Sequence, residues 1–332
     1  MREIFGTLPD GTDVQRLVLR GGGLTAAFLT YGALVQDLRL DGHDAPLVLG
    51  FPKFSPYPTH SPHFGAIAGR CANRIRDGHL KLDGQEYQLD RNFQGRHLLH
   101  GGADGTGKRL WRIVEHGDNY VTFAITLEDG HMGFPGSLTA RATYSLYDTG
   151  ILDIAMTAET DAPTLCNLAH HSYFNLDGGE SISNHLLWID AERYLPVDDA
   201  LIPTGEIRSV AGSGFNFREP TPIAQAHPVD HNFCLSRQRV PLRPVARFHS
   251  PKSGVTMECL TTEPGLQIYD GAKIAIDPPG LHGKPMGAFA GLAMEPQVWP
   301  NANHHAGFPS AELRPGEIYK QQTQYVFSKQ RT

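Results

Sequence analysis

A chain of 332 residues with 40% apolar and 19% charged residues can bury a large core, and its formal charge of −6 comes without any long run of one sign. That balance leaves no electrostatic footprint for nucleic acid or an anionic membrane surface and favours a neutral small molecule as partner. The four cysteines, Cys71, Cys166, Cys234 and Cys259, are dispersed without CxxC spacing, which predicts reduced and mostly buried thiols.

The first residues, Met1 to Gly11, lack an apolar leader-like core, and no uninterrupted apolar run is long enough to span a bilayer. A soluble, cytoplasmic protein is expected. Further along, 36 glycines and 24 prolines interrupt the chain so often that no stretch free of both exceeds 16 residues. Long helices are nearly excluded. Between the breakers, short segments alternate with period 2 and carry β-branched or aromatic residues: 34–40, 120–127, 138–146, 151–156 and 324–327. The Pro-rich patch 51–62 reads as one ordered loop. With no internal repeat and no flexible linker, an all-β antiparallel sandwich forming a single domain over 1–332 is expected.

Three segments carry chemistry. His97-Leu-Leu-His100-Gly-Gly sets an imidazole beside glycines that permit close backbone approach. Ala169-His170-His171-Ser172-Tyr173-Phe174-Asn175 holds two imidazoles among apolar and aromatic neighbours, where they can exchange protons near neutral pH. Leu292-Ala-Met-Glu295-Pro-Gln-Val-Trp299-Pro places one carboxylate in an otherwise uncharged run, where desolvation raises its pKa towards that of a general base. Each residue alone has a plainer reading: a hydrogen-bonded core histidine for His171, a buried ion pair for Glu295.

Taken together, ten segments in order resemble the aldose 1-epimerase (galactose mutarotase) family from about Tyr31 to Tyr319: YGALVQDLRLDG (31–42), GRCANRIRDG (69–78), HLLHGG (97–102), GFPGSL (133–138), HSYFNL (171–176), LIPTGEI (201–207), DHNFCL (230–235), PGLQIYDG (264–271), LAMEPQVWPNA (292–302) and FPSAELRPGEIY (308–319). The resemblance implies a galactose mutarotase-like β-supersandwich with an open sugar cleft. It also implies an enzyme without cofactor or metal that interconverts the α and β anomers of free aldoses. By the same resemblance Glu295 is the catalytic base and His171 the proton donor to the ring oxygen. Asn73, Arg74, His100, Tyr173, Asn175, Asp230 and Gln267 fall at sugar-contacting positions, while Arg70, in the same motif as Arg74, is expected to be structural.

The chain departs from the family pattern at Pro296, which lacks an N–H and is expected to disturb strand pairing beside the base, and at His170, His131-Met132 and Asn301, which are expected to bear on substrate preference. Three other readings compete. A metal enzyme would use the many histidines, among them His227-x3-His231 and His304-His305, but adjacent residues on a strand point to opposite faces and make poor ligand pairs. A non-catalytic sugar binder would have no need of a paired acid and base. A sugar-phosphate epimerase would want a cation cluster, and only Arg74 is placed at the site. The monosaccharide's identity and the choice between monomer and homodimer are not encoded in any of these motifs.

Overall fold

Alternation of buried and exposed side chains along each strand dictates the architecture. In the strand Tyr319–Lys329, for example, Tyr319, Gln321, Thr323, Tyr325 and Phe327 are buried while the residues between them are not, so one face of the strand must pack inward. A computed structural model describes residues 2–61 and 63–329, and its regular structure is overwhelmingly antiparallel β. Four strands, Arg2–Thr7, Asp13–Gly21, Leu24–Leu29 and Val35–Leu40, form a meander. A nine-stranded sheet is built on long neighbours: Leu138–Tyr147 pairs with Ile151–Thr160 over ten residue pairs, and Tyr319–Lys329 joins that hairpin to Val255–Thr261. A six-stranded sheet runs in the order Tyr173–Phe174, Leu292–Gln297, Gly265–Tyr269, Asp230–Cys234, Arg193–Tyr194, Arg208–Ser209.

The expected strands are all present: 120–127 is matched end to end, 34–40 begins one residue later at Val35, and the others are extended. The Pro-rich loop contains one helical turn, Tyr57–His60, and Pro62 lies outside the described residues. All four cysteines are free thiols, and only Cys234 is partly exposed.

The main apolar cluster lies between the sheets and draws on all three: Phe28 and Leu38 from the meander, Phe123, Tyr144, Ile154 and Phe327 from the nine-stranded sheet, and Phe233, Leu266 and Met294 from the six-stranded one. The strand Leu292–Gln297 is buried on both faces throughout. Leu292 and Met294 enter the main cluster, so the alternate residues Ala293 and Glu295 face the other way. Two side chains from the opposing sheet fasten this strand's backbone: Tyr325 donates its hydroxyl to the Met294 carbonyl at 2.7 Å, and the Gln321 amide donates to the Pro296 carbonyl at 2.8 Å.

Pro296 does not disturb the pairing. The register with Gly265–Tyr269 runs unbroken from Gly265↔Gln297 to Tyr269↔Ala293. On its other flank the strand has a strand partner only at Leu292 and Ala293, so a residue without an N–H is accommodated where the ladder is one-sided.

Replacing Tyr325 by Phe keeps the ring but leaves the buried Met294 carbonyl unpartnered. We expect a loss of about 1–3 kcal/mol in stability, read as a lower urea midpoint at unchanged denaturant slope.

Candidate active site

Period-2 alternation on the six-stranded sheet collects the polar residues on one face. Tyr173, Ala293, Tyr269 and Asp230 lie side by side across four strands, and Glu295, Gln267 and Asn232 occupy a neighbouring row. A second group arrives from a small sheet in which Arg74–Ile75 pairs with Leu98–Leu99. There Asn73 (φ 62°) and His100 (φ 50°) both take left-handed backbone, and each holds the other: the His100 N–H donates to the Asn73 carbonyl at 3.0 Å, and the Asn73 N–H donates to His100 Nδ1 at 3.2 Å. Gly101 beside them has φ 81°, and a Cβ there would lie 1.8 Å from the Gly69 carbonyl oxygen, which requires glycine.

His171 is locked by its own backbone, which donates to the Ala66 carbonyl at 2.9 Å and accepts from the Gly65 N–H at 3.0 Å. These elements enclose a cavity of about 160 Å³ lined by His63, Asn73, Arg74, Phe93, Leu99, His100, His171, Tyr173, Asp230, Tyr269, Lys273 and Glu295. His171 Nε2 stands 3.5 Å from Glu295 Oε1, both side chains being nearly inaccessible. Glu295 Oε2, His171 Nδ1 and Arg74 Nε are buried and have no hydrogen-bond partner among the described residues, so each can take one from a bound molecule.

Electrostatically, burial dominates the pair. It pushes Glu295 well above the usual carboxylate range, reinforced by Asp230 and opposed by Arg74. It pushes His171 down to about 4. Burial likewise drives His100 well below its ordinary value and His63 down to about 3. Burial thus favours the neutral form of both groups, so that the Glu295–His171 pair shares one proton, which burial by itself places on the carboxyl.

Asp230 is the hub of the polar wall. Its Oδ1 accepts from the Gln267 amide at 2.6 Å and its Oδ2 from the Arg74 guanidinium at 3.1 Å. Arg74 also lies over the Phe93 ring at 4.8 Å and takes the Asn73 side-chain oxygen as a backbone acceptor at 2.9 Å.

Eight of the nine expected site residues thus converge, Gln267 acting from behind Asp230. Asn175 does not join them. Its amide donates to the Gly179 and Ala290 carbonyls while its oxygen accepts the N–H groups of Asp177 and Gly178, so every polar atom is committed to shaping the following turn. His63, Phe93, Leu99, Tyr269 and Lys273 were not anticipated. Tyr269 was legible two residues beyond Gln267 on the same strand face, whereas His63, Phe93 and Lys273 come from loops whose sequences carry no periodic signal.

The family departures lie off the cavity. His170 turns into the core between the rings of Tyr144 and Tyr325. His131 meets Asp104 at 3.2 Å, and Asn301 takes φ 59° while accepting the Arg76 N–H. None of them lines the cavity. Arg70 is structural as expected, donating to the carbonyls of Pro135 and Gly136. Trp299 packs on Phe308, away from the sugar-sized space.

His227 and His231 serve different neighbours, Asp270 for the first and the Phe215 ring for the second, so they do not form a ligand pair. The ligand atoms of His100, His171 and Glu295 do lie within 4.8 Å of one another. Because His100 Nδ1 accepts the Asn73 N–H, its other nitrogen carries the ring proton. That tautomer suits hydrogen-bond donation rather than ligation, and the trio is better fitted to a hydroxylated ligand than to a metal.

A β-sandwich presenting a buried carboxylate–imidazole pair within a ring of hydrogen-bonding groups defines a sugar-processing acid–base enzyme. The aldose 1-epimerase family model matches residues 15–326. Galactose mutarotase of Sus scrofa is 38% identical over 341 residues, with 98% of each chain covered, and aldose 1-epimerase of Escherichia coli is 35% identical over 344 residues, covering 98% of this chain and 99% of its own. Among solved structures, an aldose epimerase homologue from C. elegans superposes with a TM-score of 0.90 at 32% identity over 95% of this chain and 99% of the other. A galactose 1-epimerase from Lactobacillus acidophilus superposes at 0.85 and 26% identity, covering all of this chain and 99% of the other. The chain belongs to the aldose 1-epimerase family and is an isomerase of the mutarotase type.

Two substitutions separate site from scaffold. Asp230→Ala leaves Arg74 and Gln267 without their acceptor and should raise KM for sugar by about 10- to 100-fold, in line with a lost charged hydrogen bond. Asn175→Ala should lower thermal stability while leaving KM near wild type. Steady-state kinetics with parallel melting curves distinguish the two.

Proposed function

We propose that the protein catalyses mutarotation of free aldoses, with Glu295 and His171 exchanging protons with the sugar's anomeric hydroxyl and ring oxygen. The observation that carries this reading is the 3.5 Å separation of two buried, oppositely shifted groups. Ring opening needs one proton removed from the C1 hydroxyl and one delivered to the ring oxygen, after which C1 rotates and the ring closes on its other face. A pair holding a single proton meets that stoichiometry.

The productive arrangement is Glu295 as carboxylate and His171 as imidazolium. Burial opposes it in the unliganded cavity, but the 3.5 Å gap lets the proton cross directly, and sugar hydroxyls donating to Glu295 Oε2 would stabilise the carboxylate. Arg74 and Asp230 act as a near-neutral unit: the guanidinium favours the Glu295 anion and the carboxylate favours the His171 cation. With Asn73, His100, Tyr173 and Gln267 they would hold the remaining hydroxyls while C1 turns. Tyr173 and Phe93 line the cavity and are aromatic candidates for the apolar side of a pyranose, one face of Phe93 already lying under Arg74.

The main apolar cluster is shared by all three sheets, which supports residues 1–332 acting as one domain. No described helix is long and apolar enough to cross a membrane; we place the enzyme in the cytoplasm, acting on a monosaccharide that enters from solution. The names of the relatives make D-galactose the first substrate to test, with D-glucose beside it.

Polarimetry of freshly dissolved α-D-galactose and α-D-glucose should show relaxation faster than the uncatalysed rate. Glu295→Gln and His171→Asn should each lower kcat by about 10²- to 10⁴-fold with sugar binding retained. Wild-type rates in both variants would reverse the assignment of roles.

The pH profile of kcat/KM should be bell-shaped. A second proton reaches the pair only as pH falls towards about 4, where His171 titrates. The single proton is lost as pH rises through the elevated value of Glu295. Glu295→Gln should remove the alkaline limb along with the activity.

A further inference from the structure

Away from the sugar cavity, three side chains form an unbroken hydrogen-bond array. Asp270, fully buried, accepts His227 Nδ1 at 2.7 Å, and His227 Nε2 lies 3.2 Å from Ser183 Oγ. The directions are fixed by neighbours. Asp270 Oδ2 also accepts the Val229 N–H at 2.8 Å and Oδ1 the Ala272 N–H at 3.0 Å, as an ionised carboxylate does. A carboxylate can only accept, so the imidazole proton sits on Nδ1 and Nε2 is left to accept from the serine hydroxyl. The Phe289 ring, stacked on His227 at 4.0 Å, holds the imidazole in plane. Ser183 Oγ then has lone pairs free to accept from Ser181 Oγ, 2.7 Å away.

The array is open to solvent at the serine end, where Ser181 and Asn184 are exposed and Ser183 and His227 half-buried. Ser181 and Asn184, on either side of Ser183 in the chain, line a polar cleft of about 330 Å³ together with Asp177, Glu180, His185 and Lys252; Ser183 and His227 are not themselves part of its lining. The Asn184 N–H, next after the serine, meets no acceptor among the described residues, so a backbone donor is available where an oxyanion hole would need one.

From this geometry we propose that Ser183, His227 and Asp270 form a second catalytic site that hydrolyses short-chain acyl esters. Ser183 Oγ attacks the ester carbonyl as His227 Nε2 takes its proton, and the tetrahedral oxyanion receives the Asn184 N–H. Collapse breaks the bond to the alcohol, which leaves with the proton from His227. Water, deprotonated by the same nitrogen, then attacks the acyl-serine, and the carboxylic acid and free Ser183 are released. Asp270 orients the ring and stabilises the imidazolium. The exposed neighbours of the serine, Ser181 and Asn184, are polar, which suits a small acetyl ester of a hydroxylated alcohol rather than a long apolar chain.

The test uses p-nitrophenyl acetate with the intact protein, where surface imidazoles set a background rate. Ser183→Ala should lower the hydrolytic rate at least tenfold while mutarotation of galactose stays at the wild-type level, which also establishes that the variant is folded. Glu295→Gln should do the reverse, so the two activities fail independently. A fluorophosphonate probe should add one label, located on Ser183 by peptide mass spectrometry. Equal hydrolysis by wild type and Ser183→Ala, or labelling absent from Ser183, overturns the proposal.

Discussion

A carboxylate placed on a strand that is buried on both faces is the constraint on which the site depends. Every residue from Leu292 to Gln297 is buried, and alternation sends Met294 into the apolar cluster, so Glu295 must point the other way into whatever the remaining elements provide. An isolated charge there would be prohibitively desolvated. The chain meets that penalty by setting His171 at 3.5 Å and by keeping the nearest full charges, Arg74 and Asp230, as a mutually neutralising pair. Those two charges cancel, Lys273 being a further cation in the lining, and one proton moves beside them. A strand free to slide would lose this arrangement, which gives the clamps from Tyr325 and Gln321 on the Met294 and Pro296 carbonyls a functional reading as well as a structural one.

The same economy of charge suits an uncharged ligand. Arg74 approaches the cavity with Asp230 bound to it, and Asp230 is shared with Gln267, so this part of the wall offers fixed donors and acceptors whose charges cancel, with the exposed Lys273 as a further cation in the lining. Small-sheet geometry makes this possible: Asn73 and His100 take left-handed backbone and close on one another, which brings Arg74 across to a carboxylate 156 positions away in the chain. Neither the sheet nor the loop alone contains a complete site.

Much of this was readable from the amino-acid sequence. Strand identity followed from period-2 alternation because each sheet has one face on the core, and the acid–base pair stood out because Glu295 is the sole charge in its run. What escaped had physical reasons. Asn175 belongs to the same short motif as His171 and Tyr173, yet a turn after Phe174 requires its amide, and nothing in the motif separates a sugar contact from a turn brace. Pro296 looked disruptive because its missing N–H is visible in sequence, whereas the one-sidedness of the ladder at that point is visible only in three dimensions. His63, Phe93 and Lys273 reach the cavity from loops, where position is set by tertiary packing rather than by local pattern.

The two adjacent histidines illustrate how strand geometry divides labour between identical side chains. His170 pairs opposite Ile67 and projects into the core between Tyr144 and Tyr325, where burial drives it down to about 3 and keeps it neutral. His171, one residue on, faces the opposite side and meets Glu295. Both are desolvated to a similar degree, so burial does not distinguish the inert ring from the one placed for chemistry. The distinction lies in the partner across the gap: an imidazole facing only phenol rings has nowhere to send a proton, whereas one facing a carboxyl and an open cavity has two. Proton chemistry in this fold is therefore specified by which face of the chain a residue occupies, and a shift of one residue in strand register would exchange the two roles.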